Sequence, residues 1–335
     1  MTISLQSIPS FTATQARATA HDEFGVAGSA APLPSERDQN FLITAAGRGK
    51  FVLKIANLAD SPQVLDCQNQ AMRRVESSGA GCRVPSVVAS RQGFDIVRIH
   101  NAETGRDHCA RLLTFIDGTV LAKSTPRGPA LFESIGAGMA RVDVALREFS
   151  HPAMRRVLQW DLRQAGMARE HTRLLPPARR ALVDTLFAQW RSIDWSGLRH
   201  SVIHGDANDH NVIVGNGRMA GLLDFGDMVY SATVCDLAIV LAYAMLGERE
   251  PLSVAAQIIR AYQYHNPLTE AEQRAIFPLV LSRLSMSVCY AAHNRVRNPA
   301  DPYQVVSEAA AWDLLDLLEL EAARPGGTSP PFIRI

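Results

Sequence analysis

Two stretches decide how this chain folds. The first is Ser201-Val202-Ile203-His204-Gly205-Asp206-Ala207-Asn208-Asp209-His210-Asn211-Val212-Ile213-Val214. The second, after the turn Gly215-Asn216-Gly217, is Gly221-Leu222-Leu223-Asp224-Phe225-Gly226-Asp227. Short apolar runs with strand character flank two polar loops, and helical periodicity surrounds this island over 129–148, 153–170, 177–191, 233–246, 251–264, 269–296 and 305–323. Upstream the text changes. The runs 40–45 and 50–55 read as strands joined by the turn Ala46-Gly47-Arg48-Gly49, and Pro62 opens a helix over 62–77 with Val64, Cys67, Ala71 and Val75 at helical spacing. Three further strand-like runs follow at 86–90, 94–98 and 108–115. Residues 1–21 read as a polar tail plus a first helix, and 27–37 as a loop. The order predicts an α+β protein of two lobes. Residues 1–116 form a small antiparallel-sheet lobe with one main helix, 117–324 a larger, mostly helical lobe, and 325–335 a disordered tail. Ligands favour the crevice between such lobes, and the irregular island should face it.

Composition bounds the function. The 335 residues carry 34 Lys and Arg against 33 Asp and Glu, a formal charge of +1, so no global field gathers nucleic acid or an anionic membrane. Hydrophobic residues make up 47%, enough for a large core. The longest apolar run, 237–246, is far shorter than the ~20 residues that span a bilayer. The opening MTISLQSIPS lacks a secretory pattern, and the five cysteines, widely spaced with no CxxC, read as reduced thiols. A cytoplasmic location is expected, with no partner among nucleic acids or membranes.

The island carries the chemistry. Asp206 precedes Asn211 by five residues, and Asp224-Phe225-Gly226 follows on a second apolar strand, the spacing of a kinase catalytic loop and metal loop. Phosphoryl transfer needs Mg2+ to neutralise the polyphosphate, and Mg2+ takes hard oxygen ligands. Asn211 offers a carbonyl oxygen and Asp224 a carboxylate, while Asp206 offers a base for the acceptor hydroxyl. The same pattern asks for a lysine on a strand of the small lobe. Lys54, between Leu53 and Ile55, meets that requirement as a point charge for phosphate oxygens.

These residues resemble the aminoglycoside phosphotransferase superfamily, the small-molecule branch of the bilobal protein-kinase-like fold. Softer strings are most similar to the branch that holds hydroxylysine kinases and the kinase-like domain fused to some PLP-dependent aminotransferases. They are SERDQNF at 35–41, VLKI at 52–55, QNQAM at 68–72, RLLTFIDG at 111–118, HGDANDHNV at 204–212 and LLDFGDMVYS at 222–231. The resemblance implies ATP or GTP as donor. It places Leu113, Phe115 and Ile116 in a hinge whose backbone meets the purine, and the segment 35–40, with Ser35 and Gln39, over the phosphates. The chain has no GxGxxG, and the helix residue expected to orient Lys54 is the uncharged Gln68.

The acceptor reads as small. Asp236-Leu237-Ala238 opens an apolar helix ten residues after Gly226, with no Ala-Pro-Glu, which leaves no platform for a polypeptide. Asn208, Asp209 and Asp227 would crowd the pocket beside Asp206 with oxygens and attract an amine. Tyr230, Tyr243, Tyr290, Arg283 and Arg295 are candidate walls. The expected acceptor is a small amino alcohol or hydroxylated amino acid such as 5-hydroxylysine. The alternatives are homoserine, choline or ethanolamine, an aminoglycoside, or a nucleotide-binding module without turnover. An aromatic cage would favour choline, but only 7% of residues are aromatic and no cluster is visible in the sequence. His204 is expected to pack under the loop, and Asp236 to cap or anchor its own helix.

Overall fold

The computed structural model describes residues 8–35, 37–297 and 307–322; the tail 325–335 and the ends of the helix expected over 305–323 lie outside the described residues. The chain divides into two compact units, one holding the residues up to Gly79 and Arg83–Asp117, the other Ala80–Cys82 and the residues from Gly118 onward.

The first unit is an antiparallel sheet. Its path is β1 (Ser29–Leu33), β2 (Gln39–Ala45), β3 (Gly49–Ile55), β6 (Arg106–Thr114) and β4 (Val87–Val88), with β5 (Val97–Asn101) also paired to β6. Alternation sets the two faces. Phe41 and Ile43 of β2, Leu53 and Ile55 of β3, and Ala110 and Leu112 of β6 share a core with Phe11, Ala16, Ala20 and Phe24 from α1 (Ala13–Asp22) and its approach. The opposite face carries Lys54, which lies in register with Asn40 on one side and Arg111 on the other. The helix α2 (Pro62–Ser77) starts at Ser61, whose hydroxyl accepts from the Val64 amide. Its Leu65, Gln68 and Asn69 meet Arg111.

Two elements depart from the sequence expectation. The stretch 27–37 contains β1, where a loop was expected. Pro32 hid it, because proline lacks a donor, but β1 is the edge of the sheet and tolerates one. Gly28 lets the chain approach β2, since a Cβ there would stand 2.3 Å from the Thr44 carbonyl oxygen. The expected helix over 153–170 is instead a set of 3-10 turns, Pro152–Met154 and Leu162–Leu174. Side chains of α4 (Pro177–Arg191) take its carbonyls. Trp190 Nε1 donates to Leu162, and Arg180 to Thr172, Arg173 and Leu175. Of these, the Leu162 carbonyl is one that an α-helix would give to the Gly166 amide.

The second unit is helical around two small ladders. β10 (Arg218–Leu222) pairs β9 (Val212–Gly215), which pairs β7 (Thr119–Val120), while β11 (Val229–Ala232) pairs β8 (His200–Ile203). The helices are α3 (Pro129–Leu146), α4, α5 (Val234–Ala244), α6 (Pro251–His265), α7 (Glu270–Arg297) and α8 (Glu308–Ala322). Every residue of α5 is buried. α7 is long and apolar enough to cross a membrane, yet 89% of its most apolar window is buried inside the protein, as in a core helix. The cysteines are all free, and Cys109 alone among them is not fully buried.

Candidate active site

The sequence island becomes two neighbouring loops, both in the second unit. The first, 204–211, joins β8 to β9, and the second, 223–228, joins β10 to β11. Because β9 pairs β10 and β8 pairs β11, the loops share one end of the ladders. Direct bonds tie them together. His204 Nε2 lies 2.9 Å from the Leu223 carbonyl, and the Leu223 amide donates to the Asn211 carbonyl at 2.8 Å. Gly205 has φ of +79°, and a Cβ there would stand 2.4 Å from the Asp227 carbonyl oxygen, so the close approach at this point requires a glycine. Arg156 donates to the carbonyls of Gly226 at 2.6 Å and Met228 at 2.7 Å, which holds the second loop from outside.

Asp206 is the focus of the first loop. Its Oδ1 accepts from Arg283 Nη2 at 2.7 Å, its Oδ2 from Asn211 Nδ2 at 2.9 Å, and both oxygens from Asn208 Nδ2. Asn211 thus turns its NH2 towards Asp206 and its carbonyl oxygen away. Asp224 sits at φ of 55°, left-handed for a non-glycine, with its Oδ1 accepting from the Gly226 amide. A strained aspartate at a loop tip is a place where function is expected. Burial pushes the Asp206 carboxyl up to about 8; Arg283 opposes the shift, and the carboxylates of Asp227 and Asp224 add to it. A carboxylate with proton affinity near neutrality suits a general base.

Arg283, 77 residues from Asp206, is the partner that sequence reading placed only among candidate walls. It lies on α7, only 2% exposed, and donates to the Trp160 carbonyl at 3.0 Å as well as to Asp206. Its guanidinium stacks on Trp160 at 4.6 Å and lies 5.4 Å from the Tyr243 ring centre. Tyr290 packs edge-on to Trp160 and bonds the Gln159 carbonyl. An aromatic cluster therefore does exist beside Asp206, assembled from residues far apart in sequence, and the protein's own arginine fills it.

The other candidate residues take the following places. Asn208 is engaged at both ends, its NH2 on Asp206 and its Oδ1 accepting the amides of His210 and Asn211, so it braces the loop. Asp209 is buried, 8% exposed, and burial raises its carboxyl. Asp227 is half-buried and acts on Asp206 through its charge. Tyr230 stands on the outer side of β11 between the His200 ring and the Arg155 guanidinium. Asp236 does not cap its own helix; its two oxygens accept the His204 and Gly205 amides at 2.7 Å each. Arg295 pairs with Glu308. His204, as expected, lies under the loop, fully buried, its Nδ1 accepting the Asp206 amide, and burial lowers its basicity.

In the first unit, Lys54 Nζ stands 3.9 Å from Asp38, and both side chains are largely buried. Gln68 was expected to orient Lys54, but its Oε1 accepts from Arg111 Nη2 at 2.6 Å. Arg111 is the stronger donor there, a buried guanidinium that also takes Asn69 Oδ1 and the Leu65 carbonyl. Gln39 turns to the N-terminal segment. Its amide bonds both backbone groups of Phe11 and ties the N-terminal segment to the sheet. Ser35 is exposed ahead of β2. Leu113 is buried on β6, the Phe115 amide donates to the Lys50 carbonyl, and Ile116 is buried after the strand.

The donor set suits a hard divalent ion. Among the described residues no group of three or more His, Cys, Asp or Glu side chains gathers, which disfavours a closed zinc-type site. One carboxylate and one amide oxygen are what Mg2+ takes when substrate phosphates and water complete its shell.

Comparison with known proteins gives the family. Residues 29–275 match the phosphotransferase enzyme family, APH. The chain is 31% identical to mouse (Mus musculus) hydroxylysine kinase over 92% of its own length and 90% of that protein's. By structure it is similar to a microcompartment-associated aminopropanol kinase, with TM-score 0.74, 15% identity and coverage of 93% of this chain and 99% of that one. It is also similar to an amicoumacin kinase, with TM-score 0.70, 16% identity and coverage of 92% and 94%. These likenesses fix the kinase-like α+β fold. The chain belongs to the phosphotransferase enzyme family, as a small-molecule kinase acting on a hydroxyl group.

Proposed function

We propose that this enzyme transfers the γ-phosphate of ATP or GTP to the hydroxyl of a small amine-bearing acceptor, with 5-hydroxylysine the first candidate. The observation that carries the reading is the Asp206 carboxylate, held by Asn211, Asn208 and Arg283 beside the Asp224 loop. Asp206 accepts the acceptor's hydroxyl proton as its oxygen bonds to the γ-phosphorus, and the bond to the bridging oxygen breaks to release the nucleoside diphosphate. Asn211 and Asp224 would hold Mg2+, whose bound charge neutralises phosphate oxygens. Lys54 would hold α- and β-phosphate oxygens, and Asp38 beside it would direct its ammonium.

The acceptor chemistry follows from charge and space. Asp206, Asp224 and Asp227 give the two loops an acidic character that favours a primary ammonium. The Trp160 and Tyr243 faces, which could hold a quaternary ammonium, carry Arg283 instead, which disfavours choline. The mouse relative's name, hydroxylysine kinase, points to the same class of acceptor.

A screen of hydroxylated amines and amino acids with each nucleotide, reading ADP or GDP release, tests this. Turnover is expected with 5-hydroxylysine and little or none with choline. A preference for choline, or release with no hydroxylated amine, would overturn the assignment.

A further inference from the structure

Behind the Asp206 loop, α3, α5 and α6 meet in a buried polar cluster that the transfer chemistry does not use. Tyr262 of α6 donates its hydroxyl to Asp143 Oδ2 of α3 at 2.5 Å, and Asn266 donates to the Tyr262 oxygen at 2.9 Å. The other oxygen, Asp143 Oδ1, is buried and accepts no hydrogen bond. The carboxyl of Asp236 on α5 lies within hydrogen-bond reach of Asp143. Asp236 is itself fully buried and grips the His204 and Gly205 amides just ahead of Asp206.

Two carboxylates cannot share so dry a space, because each pays the cost of leaving water and the two repel. One of them must carry a proton. Asp236 takes an amide donor on each of its oxygens, while Asp143 takes one tyrosine hydroxyl on Oδ2 and leaves Oδ1 without a partner. The cation that faces Asp143, Arg199, is engaged by Glu272 of α7 through a pair at 2.7 Å. His204, which faces Asp236, is kept neutral by burial. The proton therefore belongs on Asp143, and the orphaned oxygen is its donor atom. Burial, with Asp236 opposite, also pushes the Asp143 carboxyl well above the usual carboxylate range.

We propose that Asp143 is held protonated and donates its Oδ1 hydrogen to Asp236, fixing the carboxylate that positions the backbone ahead of Asp206. Asp143 is thus a positioning residue, three bonds removed from the acceptor. The kinetic part of the idea rests on Asp206 being the base; the protonation state does not.

Infrared difference spectra of the full chain, wild type against Asp143→Asn, test the protonation directly at pH 7. The wild type should show the C=O stretch of a buried carboxylic acid, shifted in D2O and absent from the variant. A carboxylate band lost on substitution would overturn the proposal, whatever the enzyme's substrate. In turnover with 5-hydroxylysine, Asp143→Asn keeps an N–H donor and should retain most of kcat. Asp143→Leu, without a donor, should lose about tenfold in kcat with the nucleotide KM unchanged. If Asp143→Asn falls as far as Asp143→Leu, the donor is not what matters and the proposal fails.

Discussion

At the residue scale, the site divides by distance along the chain. That Asp206, Asn211 and Asp224 would fall in two neighbouring loops was legible because their spacing is local. Arg283 was not, because a pair 77 residues apart leaves no periodic trace. The hydrogen bonds of Asn208 and Gln39 were hidden for a related reason. A polar side chain in a loop looks available until its hydrogen-bond partners are known, and both turn out to serve backbone amides or carbonyls. The Arg283 fork bonds Asp206 with one nitrogen and the Trp160 carbonyl with the other. A lysine ammonium cannot reproduce that geometry. Arg283→Lys should therefore lower kcat by about tenfold or more while nucleotide affinity stays near wild type, and Arg283→Met should cost about 3 kcal/mol in denaturant unfolding, as expected when a buried pair loses one partner. Equal kcat in Arg283→Lys and wild type would show that only the charge matters there.

At the element scale, the strands of the first unit were readable from alternation. β2 and β3 run close to the stretches marked by NFLITA and KFVLKI, with Leu53 and Ile55 inward and Lys54 on the other face. β1 was hidden by its proline. The 3-10 region over Leu162–Leu174 was hidden by tertiary bonds from Trp190 and Arg180 that override helical periodicity. The two active loops depend on one backbone feature, the positive φ of Gly205 against the Asp227 carbonyl. Gly205→Ala must relieve both the left-handed strain and a 2.4 Å approach. It should cost roughly 1–3 kcal/mol in stability and, by moving Asp206 off line, about a hundredfold in kcat. Thermal unfolding and steady-state kinetics on the same preparation check both. A variant with wild-type kcat would mean that the loops tolerate separation and that their contact is not what sets the site.

At the scale of the whole molecule, the family match over residues 29–275 and the kinase-like fold were expected from motifs spread along the chain. The buried α7 shows why apolar length alone misleads, since it carries Arg283 in its middle and is enclosed by the second unit. The aromatic cluster around that arginine shows the reverse limit. A low aromatic content does not say where the aromatics meet, and Trp160, Tyr243 and Tyr290 come together only in three dimensions. The proposed reaction rests on Asp206 as the group that takes the acceptor's proton. Asp206→Asn keeps the size and one accepting oxygen but cannot accept that proton. Nucleotide and acceptor binding to this variant, followed by calorimetry beside single-turnover phosphate transfer, is the direct measurement. Transfer should fall by about 10²–10⁴-fold with both ligands still bound; transfer at the wild-type rate, with the ligands bound, would contradict it.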